Sequence, residues 1–200
     1  MKEIWYKECY PRVSVMKFIA PIILWLAVIP AFSQEICLSE EEKKLYDLIM
    51  QYRKSKKLKA IPISAKLTKT AQTHVRDLAD NYVYEEGARC NPHSWSDKGD
   101  WTSCCYTSDH KEAKCMWSKP MEIAGYNSSG YEIAYFSSAG ANAVEGLEGW
   151  KKSPGHNPVI VNLGTWQKVE WKAIGIGLYK EYGVVWFGEM EDEESVKVCR

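Results

Sequence analysis

The sequence has no surplus of either charge: 26 lysines and arginines balance 26 aspartates and glutamates. No basic run is interleaved with aromatics, so the electrostatic footprint of a nucleic-acid partner is missing and that class is set aside. There is no Cys-x-x-Cys pair to begin a structural zinc site, no His-Glu-x-x-His helix of a metallopeptidase and no Gly-x-Ser-x-Gly nucleophile elbow. There is no internal repeat, and no apolar stretch long enough to span a bilayer comfortably. What remains is a chain of 200 residues, 46% hydrophobic and 26% charged, suited to one globular domain with a sizeable core.

Met16-Lys17-Phe18 followed by IAPIILWLAVIP is a charged start and a short apolar run, the pattern of a secretory signal. Ala31-Phe32-Ser33 supplies small residues at alternate positions, which places cleavage after Ser33 and leaves Gln34 as the mature N-terminus. Residues 1–15 then lie upstream of a start at Met16 or form a long basic lead-in. A membrane anchor is the alternative; the shortness of the run and the presence of Pro21 and Pro30 argue against it. The expectation is a secreted or periplasmic protein with no stable membrane insertion after cleavage. Its parts are residues 1–33 as extension and signal, 34–190 as the domain, and 191–200 as an acidic tail on the surface. Losing the leader removes Lys2, Lys7, Arg12 and Lys17 against Glu3 and Glu8, so the mature chain is mildly acidic.

The leader also takes Cys9, leaving Cys37, Cys90, Cys104, Cys105, Cys115 and Cys199. An even number in an exported chain reads as disulfides. By position, Cys37 and Cys199 are expected to tie the two ends together, and the other four to staple the middle.

Ser39 with Glu42 three residues on forms a capping box, and Leu45, Leu48, Ile49 and Tyr52 recur on one helical face behind it. Ser64 opens a second helix in which Leu67, Ala71, His74, Val75 and Leu78 share a face. His74 reads as a hydrogen-bonded histidine at the core edge, and Arg76, Asp77 and Asp80 as solvated surface. From Glu85 to Tyr126 periodicity disappears; four cysteines and three tryptophans point to a long ordered loop braced by disulfides, the usual setting of a binding surface. Tyr131, Ile133 and Tyr135 alternate with Glu132, Ala134 and Phe136 as in a strand. A helix over 141–152 presents Ala143, Val144, Leu147 and Trp150 on one face, and AIGIGLYK with GVVWFGEM forms a hairpin apolar on both sides.

Gly149 to Asn162, GWKKSPGHNPVIVN, organises the rest. Pro154 pushes Ser153 out of the helical region and Gly155 tolerates unusual backbone angles, so His156 leaves the turn in a defined direction. His93, in CNPHSW, and Glu132, in SGYEIAY, are the candidates to meet it.

Two helices, a cysteine-rich loop with a histidine, a Gly-x-Glu-Ile segment, then GWKKSPGH with Ile160 and a closing hairpin form an ordered set. It resembles the CAP superfamily of cysteine-rich secretory proteins, antigen 5 and pathogenesis-related 1 proteins. The likeness is to the bacterial secreted, SCP-like branch with its GW-x-x-SPGH-x-x-x-I signature, and runs from about Glu40 to Met190. The resemblance implies an α+β fold, an α-β-α sandwich with a small antiparallel sheet between helical layers, and a cleft lined by two histidines and acidic residues. His93 looks like the first cleft histidine, His156 like the second, and Glu132 like the glutamate of the Gly-Glu-Asn-Ile motif. Aligned without gaps, however, Tyr131 stands in the glutamate slot and Glu132 in the asparagine slot, and Ser153 replaces the second glutamate of many eukaryotic members. Adjacent strand residues face opposite ways, so Glu132 is expected in the cleft only if the backbone bulges.

His93, His156 and Glu132 make up the ligand set of a zinc or magnesium ion, and with an open position for water that set could run hydrolysis, the alternative reading. The reading preferred here is non-enzymatic: a cleft that binds a divalent cation and a small extracellular ligand (lipid, peptide or glycan), with Trp95 and Tyr131 as ligand contacts. Ser94 beside His93 and Ser153 near His156 read as turn hydroxyls rather than nucleophiles.

Overall fold

Ser39 and Glu42 do what their spacing predicts. Ser39 Oγ accepts the Glu42 N–H at 3.2 Å, while Glu42 Oε2 accepts the Ser39 N–H at 2.7 Å. The computed structural model in which these bonds are seen describes residues 36–82, 87–194 and 196–199. The expected signal, its cleavage after Ser33, the start at Met16 and Cys9 lie outside the described residues.

A short strand β1 (Cys37–Leu38) leads into α1 (Glu40–Ser55), whose Leu45 and Ile49 are fully buried. Helix α2 (Ala65–Asn81) is capped by Ser64, whose hydroxyl accepts the Leu67 N–H. Within the stretch expected to be irregular, two short helices form, α3 (Ala113–Trp117) and α4 (Lys119–Ala124). At five and six residues they are too short to show an amphipathic period, and Pro120 stands in the first turn of the second, where a missing N–H costs nothing. Strand β2 (Gly130–Phe136) follows, then α5 (Ala143–Lys152), the single turn α6 (Asn157–Ile160), and the hairpin strands β3 (Ala173–Tyr179) and β4 (Tyr182–Gly188). On α5 the buried face is Ala143, Gly146, Leu147 and Trp150; Val144, expected inside, is 48% exposed. Last comes β5 (Lys197–Val198).

The sheet is antiparallel in the order β2-β4-β3, and central β4 is buried along its whole length. One face packs on α2: Leu67, Ala71, Val75 and Leu78 meet Ala134, Val184 and Trp186. The other packs on α1 and α5: Leu45, Ile49, Leu147 and Trp150 meet Ile133, Ile176, Val185 and Phe187. This is the expected α-β-α sandwich. Two glycines set the closeness of one layer. A Cβ on Gly175 would sit 2.0 Å from the Leu67 backbone, and one on Gly177 2.5 Å from the Ala71 backbone, so only hydrogen at these positions lets α2 lie on β3.

The acidic tail is not simply surface. The Asp192 side chain, 1% exposed, accepts from Ser64 Oγ at 2.6 Å and from the Lys66 N–H at 2.9 Å, so it completes the N-terminal cap of α2. Beyond it β5 pairs in parallel with β1, and Cys199 bonds Cys37 as expected of the two ends. In the middle of the chain the pairs are Cys90–Cys105 and Cys104–Cys115.

Candidate functional site

His93 stands in a loop that is fastened twice. Cys90–Cys105 closes the loop at its base, and the Asn91 N–H donates to the Tyr106 carbonyl at 2.9 Å while the Tyr106 N–H donates to Ser94 Oγ at 2.9 Å. Asn91 Oδ1 accepts the His93 N–H at 3.0 Å, a local turn that sets the imidazole's exit. His156 is held from the other side. Ser153 is extended ahead of Pro154, and its hydroxyl accepts the His156 N–H at 3.3 Å. Gly155 contributes less than expected: its φ is not positive, and an added Cβ would meet only Ser153 Oγ, at 3.9 Å. The two rings face each other edge to plane with centroids 6.2 Å apart. That is well inside the roughly 10 Å beyond which two imidazoles cannot share an ion with metal–nitrogen bonds of about 2 Å.

Glu132 reaches this pair without a bulge. Strand β2 pairs with β4 residue for residue from Gly130–Gly188 to Phe136–Tyr182, and in that regular register Glu132 faces the α2 side. Its side chain has no solvent exposure, and both of its oxygens are used. Oε1 lies 2.8 Å from His93 Nδ1, and Oε2 lies 2.5 Å from Nδ1 of His74. His74 Nε2 meets the Ser94 carbonyl at 2.9 Å. A carbonyl only accepts, so Nε2 of His74 is the donor there, and Nδ1 faces the Glu132 carboxylate. Burial alone would push the Glu132 carboxyl up, but the charge and hydrogen bonds of His74 and His93 outweigh it and hold it below the ordinary value. The His156 imidazole is pushed down to about 4, first by burial and then by His93, with Glu132 opposing. His156 is therefore neutral at physiological pH.

The residues expected as ligand contacts fall differently. Trp95 is 3% exposed and stacks flat on His74 with centroids 4.2 Å apart, so it is a wall behind the site and not a surface for a ligand. Tyr131, next to Glu132 in the strand, points to the opposite face and packs among Trp117, Trp166 and Trp171. His74, read as a core-edge histidine, is buried and hydrogen-bonded at both nitrogens, and it is also the partner of the Glu132 carboxylate. The signal that could have found it is complementarity: one inward acid on β2 and one inward imidazole on the buried stripe of α2 each need a partner in the core. Asp77, expected on the surface, is 4% exposed and accepts the Ser96 N–H at 2.8 Å, anchoring the far end of the His93 loop to α2.

The donor set limits what the site can hold. Among the described residues no three His, Cys, Asp or Glu side chains are grouped to bind a metal ion. The reason is local, since both Glu132 oxygens are committed to imidazoles. The arrangement offers two nitrogens, His93 Nε2 and one from His156, with Glu132 behind the first as an orienting acceptor.

A three-layer sandwich with paired histidines at one side defines a class, and the chain's sequence agrees. The CAP family model, described as the cysteine-rich secretory protein family, matches residues 46–183, and the chain belongs to that family. Solved structures agree in fold. An extracellular protein containing an SCP domain from Bacillus anthracis superposes with a TM-score of 0.53 at 16% identity, over 75% of this chain and 40% of that one. An outer surface protein from Borrelia burgdorferi gives 0.52 at 19%, over 78% of this chain and 98% of that one. The chain thus spans less than half of the Bacillus protein. No curated protein matches it.

Proposed function

We propose that this is an exported CAP-domain protein whose His93–His156 cleft binds a divalent cation together with a small extracellular ligand, in a binding and not a catalytic role. The observation that carries the reading is the hydrogen-bonded chain from His74 through Glu132 to His93. It fixes Nδ1 of His93 as the donor and leaves Nε2 without a partner among the described residues, 6.2 Å ring to ring from a neutral imidazole. A carboxylate behind a ligating histidine is the usual outer partner of a metal site. Two imidazoles favour zinc over magnesium, which prefers oxygen. The hydrolytic alternative needed Glu132 as a third ligand, and the carboxylate is occupied.

Export is supported by the three disulfides, which persist in oxidising compartments, and by the extracellular and outer-surface descriptions of the two structural neighbours. No described helix is long and apolar enough to cross a membrane.

Calorimetric titration of the metal-free protein with zinc tests the proposal. One equivalent is expected to bind, His156→Ala is expected to abolish binding, and Glu132→Gln to weaken it about 10- to 100-fold. Absence of binding, or equal binding by the His156→Ala protein, would refute it.

A further inference from the structure

Arg53 is a buried cation that no described residue pairs with a counter-charge. It sits in the last turn of α1, 4% exposed, and no carboxylate lies within ion-pair distance among the described residues. Its partners are neutral oxygens: Nε donates to the Lys59 carbonyl at 3.0 Å, and Nη1 donates to the Ile160 carbonyl at 2.5 Å and to Asn162 Oδ1 at 2.8 Å. The helix C-terminus supplies part of a negative charge, and no more. Burial pushes the guanidinium down to about 10, which leaves it charged at neutral pH.

The two N–H groups of Nη2 have no acceptor among the described residues. Arg53 lines a cavity of about 550 Å³, and with it stand Lys57, Lys59 and Lys172. The acids on the same walls are largely committed. Glu170 pairs with Lys59 at 3.2 Å and Asp192 bonds Ser64 and Lys66, which leaves Glu191 against Arg53, Lys57 and Lys172. Leu58, Val169 and Trp171 add apolar wall. None of the cleft histidines takes part.

We infer that this cavity is an anion site, in which Arg53 with Lys57 and Lys172 takes a small molecule bearing a carboxylate or a phosphate. Because Nε and Nη1 are already used, the forked side-on grip of arginine on an oxyanion is closed. One oxygen is held end-on by Nη2, and a neighbouring oxygen is left to a lysine, a point charge that does not demand planarity. The apolar wall receives the rest of the molecule.

The test titrates the full chain separately with inorganic phosphate and with benzoate, at ionic strength held constant with chloride. Both the melting temperature and the Nε–Hε resonance of Arg53 are followed. A saturable change in both is expected with at least one anion. Half-saturation is expected to move up roughly five-fold in Lys57→Gln and in Lys172→Gln, the loss of one charge-assisted contact. Lys98→Gln, in the disulfide-braced loop, is expected to leave it unchanged. These lysines are not buried, so the variants keep the fold, whereas Arg53→Gln strips hydrogen bonds from the Lys59 and Ile160 carbonyls and Asn162 Oδ1 and serves only as a stability control. A response to phosphate alone identifies a phosphate ligand, and to benzoate alone a carboxylate. No saturable response, or the same half-saturation in all three lysine variants, overturns the proposal.

Discussion

His74 Nδ1 and Glu132 Oε2 lie 2.5 Å apart, and neither side chain touches solvent. An acid on a strand and an imidazole on the helix packed over it are thus joined inside the core, and the acid's second oxygen fixes His93 at the rim. Breaking a buried pair from one side leaves the other group without its partner, at a cost of about 3–5 kcal/mol. His74→Leu and Glu132→Leu are each expected to lower stability by an amount of that order in urea denaturation. The double variant is expected to lose clearly less than the two together, because neither buried group is then left without its partner. Additive losses would show that the two side chains act independently.

The acid side of the stability curve has two windows. His156 is held at about 4 against an ordinary 6.5, so between these values the unfolded chain binds the extra proton. The stabilisation is complete above about pH 6.5 and is lost as pH falls toward 4, at most about 3 kcal/mol and less in proportion to the ring's exposure. Glu132 is depressed from its ordinary 4.5, so its contribution is present above that value and disappears only as pH falls below it. Melting temperatures across pH 3–8 are expected to show both declines, and His156→Gln to remove the upper one alone. A variant curve parallel to the wild type would contradict the assignment.

The parts of this molecule that can be read from the sequence are those whose signal is local. The Ser39–Glu42 box, the two-sided apolar hairpin and the Ser153-Pro154 exit before His156 are set by neighbours within a few residues. What cannot be read depends on contacts distant in sequence. Asp77 reads, with Arg76, as solvated helix surface, yet it is buried because Ser96 comes back to it. Set without gaps against the family's Gly-Glu-Asn-Ile motif, Glu132 asks for a bulge; the regular β2–β4 register itself places it on the α2 side, where His74, 58 residues away, meets it. The burial of Arg53 in the last turn of α1 likewise depends on distant residues, Ile160 and Asn162.

Gly175 offers a sharp test of how the layers meet. An added methyl would lie 2.0 Å from the Leu67 backbone carbon and 2.3 Å from its oxygen, and backbone cannot rotate away as a side chain can. Gly175→Ala is expected to cost about 3 kcal/mol or more, read by denaturant midpoint or by loss of folded yield. Gly149, inside α5, is the control, because a methyl added there would have nothing within 4 Å. Gly149→Ala is expected to stabilise by up to about 1 kcal/mol.

The disulfides are expected to divide their effects between stability and function. Cys37–Cys199 spans 162 residues and Cys90–Cys105 only 15. By chain entropy the first restricts the unfolded state by about 5 kcal/mol and the second by about 3 kcal/mol. The second, however, closes the loop that carries His93, whose ring must stay on Glu132 to face His156. Replacing Cys37 and Cys199 by alanine is therefore expected to lower the melting temperature more while leaving zinc affinity near wild type below the transition. Replacing Cys90 and Cys105 is expected to cost less in melting temperature but to weaken zinc binding at least as much as Glu132→Gln, because the loop's freedom is then lost at the moment of binding. If both double variants bind zinc alike, the loop is ordered by Asp77, Ser94 and Tyr106 alone, and the Cys90–Cys105 bond has no part in positioning His93.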